Sequence, residues 1–120
     1  MQVEEFSVFE YEYVDGGNFK SWDLLLLRGK ASPSDINRIT SCMLDSEFFI
    51  AEQVGIPPVY SGVTKYGNRD LDVATHHFCK LRSATEIEIS ELKCHGSVSD
   101  IIAAFEDAKE HWHFKLSQFG

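Results

Sequence analysis

Between Phe6 and Val14 the side chains alternate. Phe9, Tyr11 and Tyr13 take one parity, and Glu10 and Glu12 the other. A period of two with aromatics on one side describes a half-buried antiparallel strand. Asp15-Gly16-Gly17-Asn18 follows, and these residue types tolerate positive φ, so the chain is expected to reverse there in a hairpin. Phe19–Arg28 is then the returning strand. Its end, Leu24 to Leu27, has no alternation, so both of its faces should be covered and the strand should be central.

Further on, Ser32-Pro33-Ser34-Asp35 has the chemistry of a helix start. Ser32 serves as N-cap, Pro33 sits in the first turn and Asp35 is the capping-box acid. Ile36, Ile39, Met43 and Leu44 recur at helical spacing, which takes this helix to about Asp45. Phe48–Asp72 mixes apolar residues with Gly55, Pro57-Pro58, Gly62 and Gly67, so it reads as an ordered strap pinned by its aromatics and ending in a mobile tip at 61–72. Thr75–Arg82 reads as a strand. Thr85–Leu92, where Ile87 and Ile89 alternate with Glu86 and Glu88, reads as its hairpin partner, broken by Cys94-His95-Gly96. A last helix starts at Ser97 to Asp100 and carries a stripe of Val98, Ile101, Ile102, Phe105, Ala108, Trp112 and Leu116. Trp112 reads as the core anchor of that helix.

The expected fold is therefore α+β, a four-stranded antiparallel sheet of two hairpins with two helices packed on one face. The order is ββ-α-loop-ββ-α, over residues 1–120 as a single domain. Tyr13-Val14-Asp15-Gly16-Gly17-Asn18-Phe19-Lys20, with Glu47-Phe48-Phe49-Ile50-Ala51-Glu52-Gln53-Val54-Gly55-Ile56-Pro57-Pro58, resembles a family of small uncharacterised bacterial proteins. The likeness covers roughly the first half of the chain and, more loosely, the acidic tail helix. It implies a bacterial origin and a small α+β domain, and it assigns no activity to any residue.

Charge narrows the classes of partner. Eleven basic and 19 acidic residues give a net charge of −8. Residues 1–15 contribute −5, 16–82 contribute +1 and 83–120 contribute −4. There is no basic cluster of the kind that a phosphate backbone or an anionic lipid surface requires, so neither nucleic acid nor membrane is an expected partner. Another protein with a basic surface is. No apolar run approaches the length of a membrane span, the N-terminus is acidic, and three scattered cysteines do not make a disulfide scaffold. A reduced, cytoplasmic setting is the expectation.

Chemistry-bearing groups are few. His77, Cys79, Cys94 and His95 would make a metal site if the two segments that carry them converged. Their spacings match no structural-zinc or zinc-protease motif, and the plainer reading is small buried thiols and surface imidazoles. His111 and His113 would stand roughly 200° apart on a helix and could not share an ion there. Glu10 with Glu12, and Glu86 with Glu88, are spaced for acid–base work, yet alternating glutamates usually form a solvated face. There is no phosphate loop, dinucleotide fingerprint or nucleophile elbow, and no cofactor is implied. The reading with most support is a non-enzymatic protein-binding module of the immunity-protein or antitoxin type. Glu10 and Glu12 would steer a basic partner, and Tyr60, Lys65, Tyr66 and Arg69 would contact it. A small metal-dependent or acid–base enzyme and a homo-oligomeric structural subunit are the alternatives.

Overall fold

A computed structural model of the chain describes residues 5–14, 20–59, 75–109 and 111–112. β1 (Phe6–Val14) and β2 (Lys20–Arg28) pair antiparallel from Phe6↔Arg28 to Val14↔Lys20, as the alternation and the following turn chemistry require. The turn residues 15–18 lie outside the described residues. The fold class is α+β, with a sheet that is five-stranded and mixed rather than four-stranded and antiparallel. Its order is β3-β4-β1-β2-β5, with β3 at Phe48–Phe49, β4 at His76–Ser83 and β5 at Cys94–Ser97.

Three α-helices accompany it among the described residues, α1 (Pro33–Ser41), α2 (Glu86–Glu91) and α3 (Val98–Ala108). Each opens with a reciprocal capping box: Ser32 with Asp35, Thr85 with Glu88, and Ser97 with Asp100. α1 and α3 close the inner face of the sheet. Phe9, Tyr11, Leu25, Leu27 and Leu81 on that face share one apolar cluster with Ile39 of α1 and Ile101, Ile102 and Phe105 of α3. Phe105 is fully buried and stacks edge-on against Phe49 and Trp112. A bidentate Arg38–Glu106 pair bridges the two helices at the surface. No helix among the described residues is long and apolar enough to cross a membrane.

Two expectations are corrected. Thr85–Leu92 is not a strand. Thr85 Oγ1 accepts from the Glu88 amide at 3.2 Å, and Glu88 Oε1 accepts from the Thr85 amide at 2.9 Å, which starts a helix and leaves Ile87 and Ile89 at the surface. Cys94-His95-Gly96 does not break a hairpin, because it belongs to β5, which pairs parallel with the far side of β2. That pairing makes β2 the internal strand expected from its unbroken leucines, with Leu25, Leu26 and Leu27 all buried. The two expected helices share the inner face; the additional helix α2 is tied by Glu88 to Arg82 of β4, which stands with Glu10 on the outer face.

The first part of the strap is ordered as expected. Phe49, Ile50, Ala51, Val54 and Ile56 are buried, Ala51–Val54 forms a 3-10 turn, and Gly55 at φ 71° ends it in the left-handed region. The Tyr11 hydroxyl donates to the Pro57 carbonyl at 2.7 Å and ties the strap to the sheet centre. Residues 60–72 lie outside the described residues. α3 ends at Ala108, short of the expected stripe, and Trp112 packs on Phe105 from beyond the helix while its indole N–H donates to the Cys42 carbonyl at 2.9 Å.

Candidate functional site

The outer face of the sheet is where the chemistry-bearing residues of the described chain gather. Strand parity places Glu10 and Glu12 of β1 there, opposite Leu24 and Trp22 of β2 and Lys80 and His77 of β4. Between Glu10 and Tyr11 the β1–β4 register slips: Glu10 faces Lys80, but Tyr11 faces Phe78. This is a β-bulge. Phe78 and Leu81 both turn inward across it, so Cys79 and Lys80 both turn outward and are exposed. A depression of about 270 Å³ results, lined by Glu10, Glu12, Trp22, Asp23, Leu24 and Cys79, with Tyr11 contributing to its wall.

The two glutamates are not a bare acidic stripe. Arg82 Nε donates to Glu10 Oε2, while its two terminal nitrogens donate to Glu88 at 2.8 and 2.7 Å. This pairing, with the Thr85 amide, holds the Glu88 carboxyl down to about 2, and the two carboxylates push the Arg82 guanidinium upward. Glu12 Oε1 stands 3.0 Å from His77 Nδ1, and Glu47 Oε1 stands 3.0 Å from His77 Nε2. Both residues that were expected to steer a partner are thus engaged within the chain.

His76 belongs to the opposite face. It is fully buried against Tyr11, Tyr13 and Phe49, and its Nε2 accepts from the Val59 amide at 3.0 Å. Burial pushes its imidazole down to about 4 and Tyr11's phenol upward. Of the candidate metal residues, His77 and Cys79 are brought together, with Glu12 as a third group. Cys94 and His95 are not: β1 and β2 separate β5 from β4, a span of roughly 14 Å at ordinary strand spacing. Cys94 instead donates to the Gly96 carbonyl at 3.2 Å. Tyr60, Lys65, Tyr66 and Arg69 lie outside the described residues.

Sequence reasoning missed Trp22, Glu47 and Arg82. Trp22 is 72% exposed on the outer face, near the end of β2 that follows the β1–β2 turn. Its parity with Leu24, opposite to that of Asp23 and Leu25, was the available signal. Nothing local signals Glu47, which reaches His77 only because β3 pairs with β4.

The chain matches no protein-family model, no curated protein and no solved structure. The resemblance carried by residues 13–20 and 47–58 therefore gains no support from them, and any function must come from the residues.

Proposed function

We propose that this chain is a non-enzymatic module that binds a basic segment of another protein on the outer sheet face, in a cytoplasmic setting. The observation that carries the reading is Trp22, which presents most of its indole to solvent from a paired strand, beside a depression lined by Glu10 and Glu12. Tryptophans in such settings dominate interface energetics. An incoming lysine or arginine would meet the indole face and the carboxylates together, and cation–π contact contributes about 0.5–2 kcal/mol. Glu10 and Glu12 shape the rim, while the net charge of −8 supplies the long-range attraction. An immunity protein or antitoxin neutralising a basic toxin or enzyme is the concrete form.

The test is calorimetric titration of the full chain and of Trp22→Ala with lysine- and arginine-rich peptides at low and moderate salt. Saturable binding that weakens with salt and is lost in Trp22→Ala supports the proposal. Binding that survives Trp22→Ala overturns it, as does a homodimer in gel filtration that Trp22→Ala dissolves.

A further inference from the structure

The geometry points to a divalent-cation site of the zinc class on the outer face, formed by Glu12, His77 and Cys79 and oriented by Glu47. It goes beyond the protein-binding proposal and does not rest on it. A ligand atom from each of the three residues lies within 4.8 Å of the other two. Tetrahedral zinc with one sulfur, one nitrogen and one oxygen ligand holds such atoms roughly 3.3–3.6 Å apart, so the change needed is small side-chain rotation on a paired sheet.

The His77 ring supplies the second argument. Its two nitrogens each face a carboxylate oxygen at 3.0 Å, Nδ1 toward Glu12 and Nε2 toward Glu47. A neutral imidazole has one N–H to donate and one lone pair. The single N–H can serve only one of the two carboxylates, so the lone pair of the other nitrogen is aimed at the second. With Nε2–H given to Glu47, the Nδ1 lone pair faces Glu12 in the cluster. That is the arrangement by which an outer carboxylate fixes the tautomer of a ligating histidine.

Strand alternation supplies the third. His77 and Cys79 stand two apart on β4 and so share one face, and the pairing of His77 with Glu12 puts the carboxylate on that face beside them. The donor set selects the ion: thiolate and imidazole suit zinc and its softer neighbours, and disfavour magnesium and calcium. Cys79 is exposed, so the fourth position opens to water.

The test is cobalt(II) and zinc titration of the metal-stripped, reduced full chain. One cobalt per chain should bind with a thiolate-to-cobalt charge-transfer band and the visible bands of a tetrahedral site, and zinc should displace it. Cys79→Ser should abolish the charge-transfer band. His77→Gln should weaken zinc by more than about a hundredfold and Glu47→Gln by about tenfold, while Cys94→Ser and Cys42→Ser leave binding unchanged. Circular dichroism of each variant establishes that it is folded, and exposed Cys79 tolerates serine without repacking. Absence of binding by the wild-type chain overturns the site. A charge-transfer band that survives Cys79→Ser or vanishes in Cys94→Ser overturns it equally.

Discussion

Arg82 on β4 grips Glu88 on α2 with two parallel hydrogen bonds, Nη1 to Oε1 at 2.8 Å and Nη2 to Oε2 at 2.7 Å. The same guanidinium holds Glu10 of β1 through Nε. α2 has six residues and none of them is buried. A helix this short does not persist by propensity. Its capping box and this ion pair are what keep it in place.

Arg82→Ala should therefore melt α2 locally. Hydrogen exchange at the Ile89 and Leu92 amides, which donate to Thr85 and Glu88, should accelerate strongly. Global stability should fall by only about 1 kcal/mol, because the pair is partly exposed. Unchanged protection at both amides would show that something else holds the helix.

Acid should destabilise the fold in two separable steps. His76 has a folded-state pKa of about 4 against an ordinary 6.5, because burial among Tyr11, Tyr13 and Phe49 disfavours its charged form. The unfolded chain binds the proton more readily, so the contribution is fully present above pH 6.5 and is lost as pH falls toward 4. The loss amounts to about 3 kcal/mol. Glu88 is depressed to about 2, so its contribution is present above pH 4.5 and is lost as pH falls toward 2, chiefly as fraying of α2. Urea midpoints from pH 7 to pH 4, taken with a chelator present, should show the first step. His76→Gln should flatten it while keeping an acceptor for the Val59 amide.

Tyr11→Phe removes the hydroxyl that donates to the Pro57 carbonyl at 2.7 Å and preserves the buried ring. Pro57 is exposed, so water can reach its carbonyl in the variant. The expected cost is about 1 kcal/mol, at the low end for a lost buried hydrogen bond. The urea midpoint measures it, and faster exchange confined to residues 50–59 would show that the bond ties the strap to the sheet. A loss above about 3 kcal/mol would mean that the ring has also repacked.

Trp22→Ala should leave stability within about 0.5 kcal/mol of wild type, because the indole is mostly in water. Any binding that depends on it should disappear. A large drop in melting temperature would instead identify Trp22 as a structural residue and remove it from the interface.

What the sequence determined by itself is local. The parity of Phe9, Tyr11 and Tyr13 specifies β1 and its buried face, and the Ser32–Asp35 and Ser97–Asp100 boxes specify where α1 and α3 begin. These signals are legible because capping and side-chain alternation are set by neighbours a few residues apart. The segment Glu86 to Ile89 was misread because four alternating residues fit a strand as well as a short helix. The Thr85–Glu88 capping box that starts the helix is a local signal that outweighs the alternation, and Arg82 reinforces it from the end of β4. Only the tertiary structure could place Cys94 and His95 at the far edge of the sheet, bring Glu47 to His77, and turn Glu10 and Glu12 from a bare acidic stripe into partners of Arg82 and His77. Each of these follows from strand order and register, which arise from pairing between segments distant in the chain. A shift of one residue there moves every side chain to the other face.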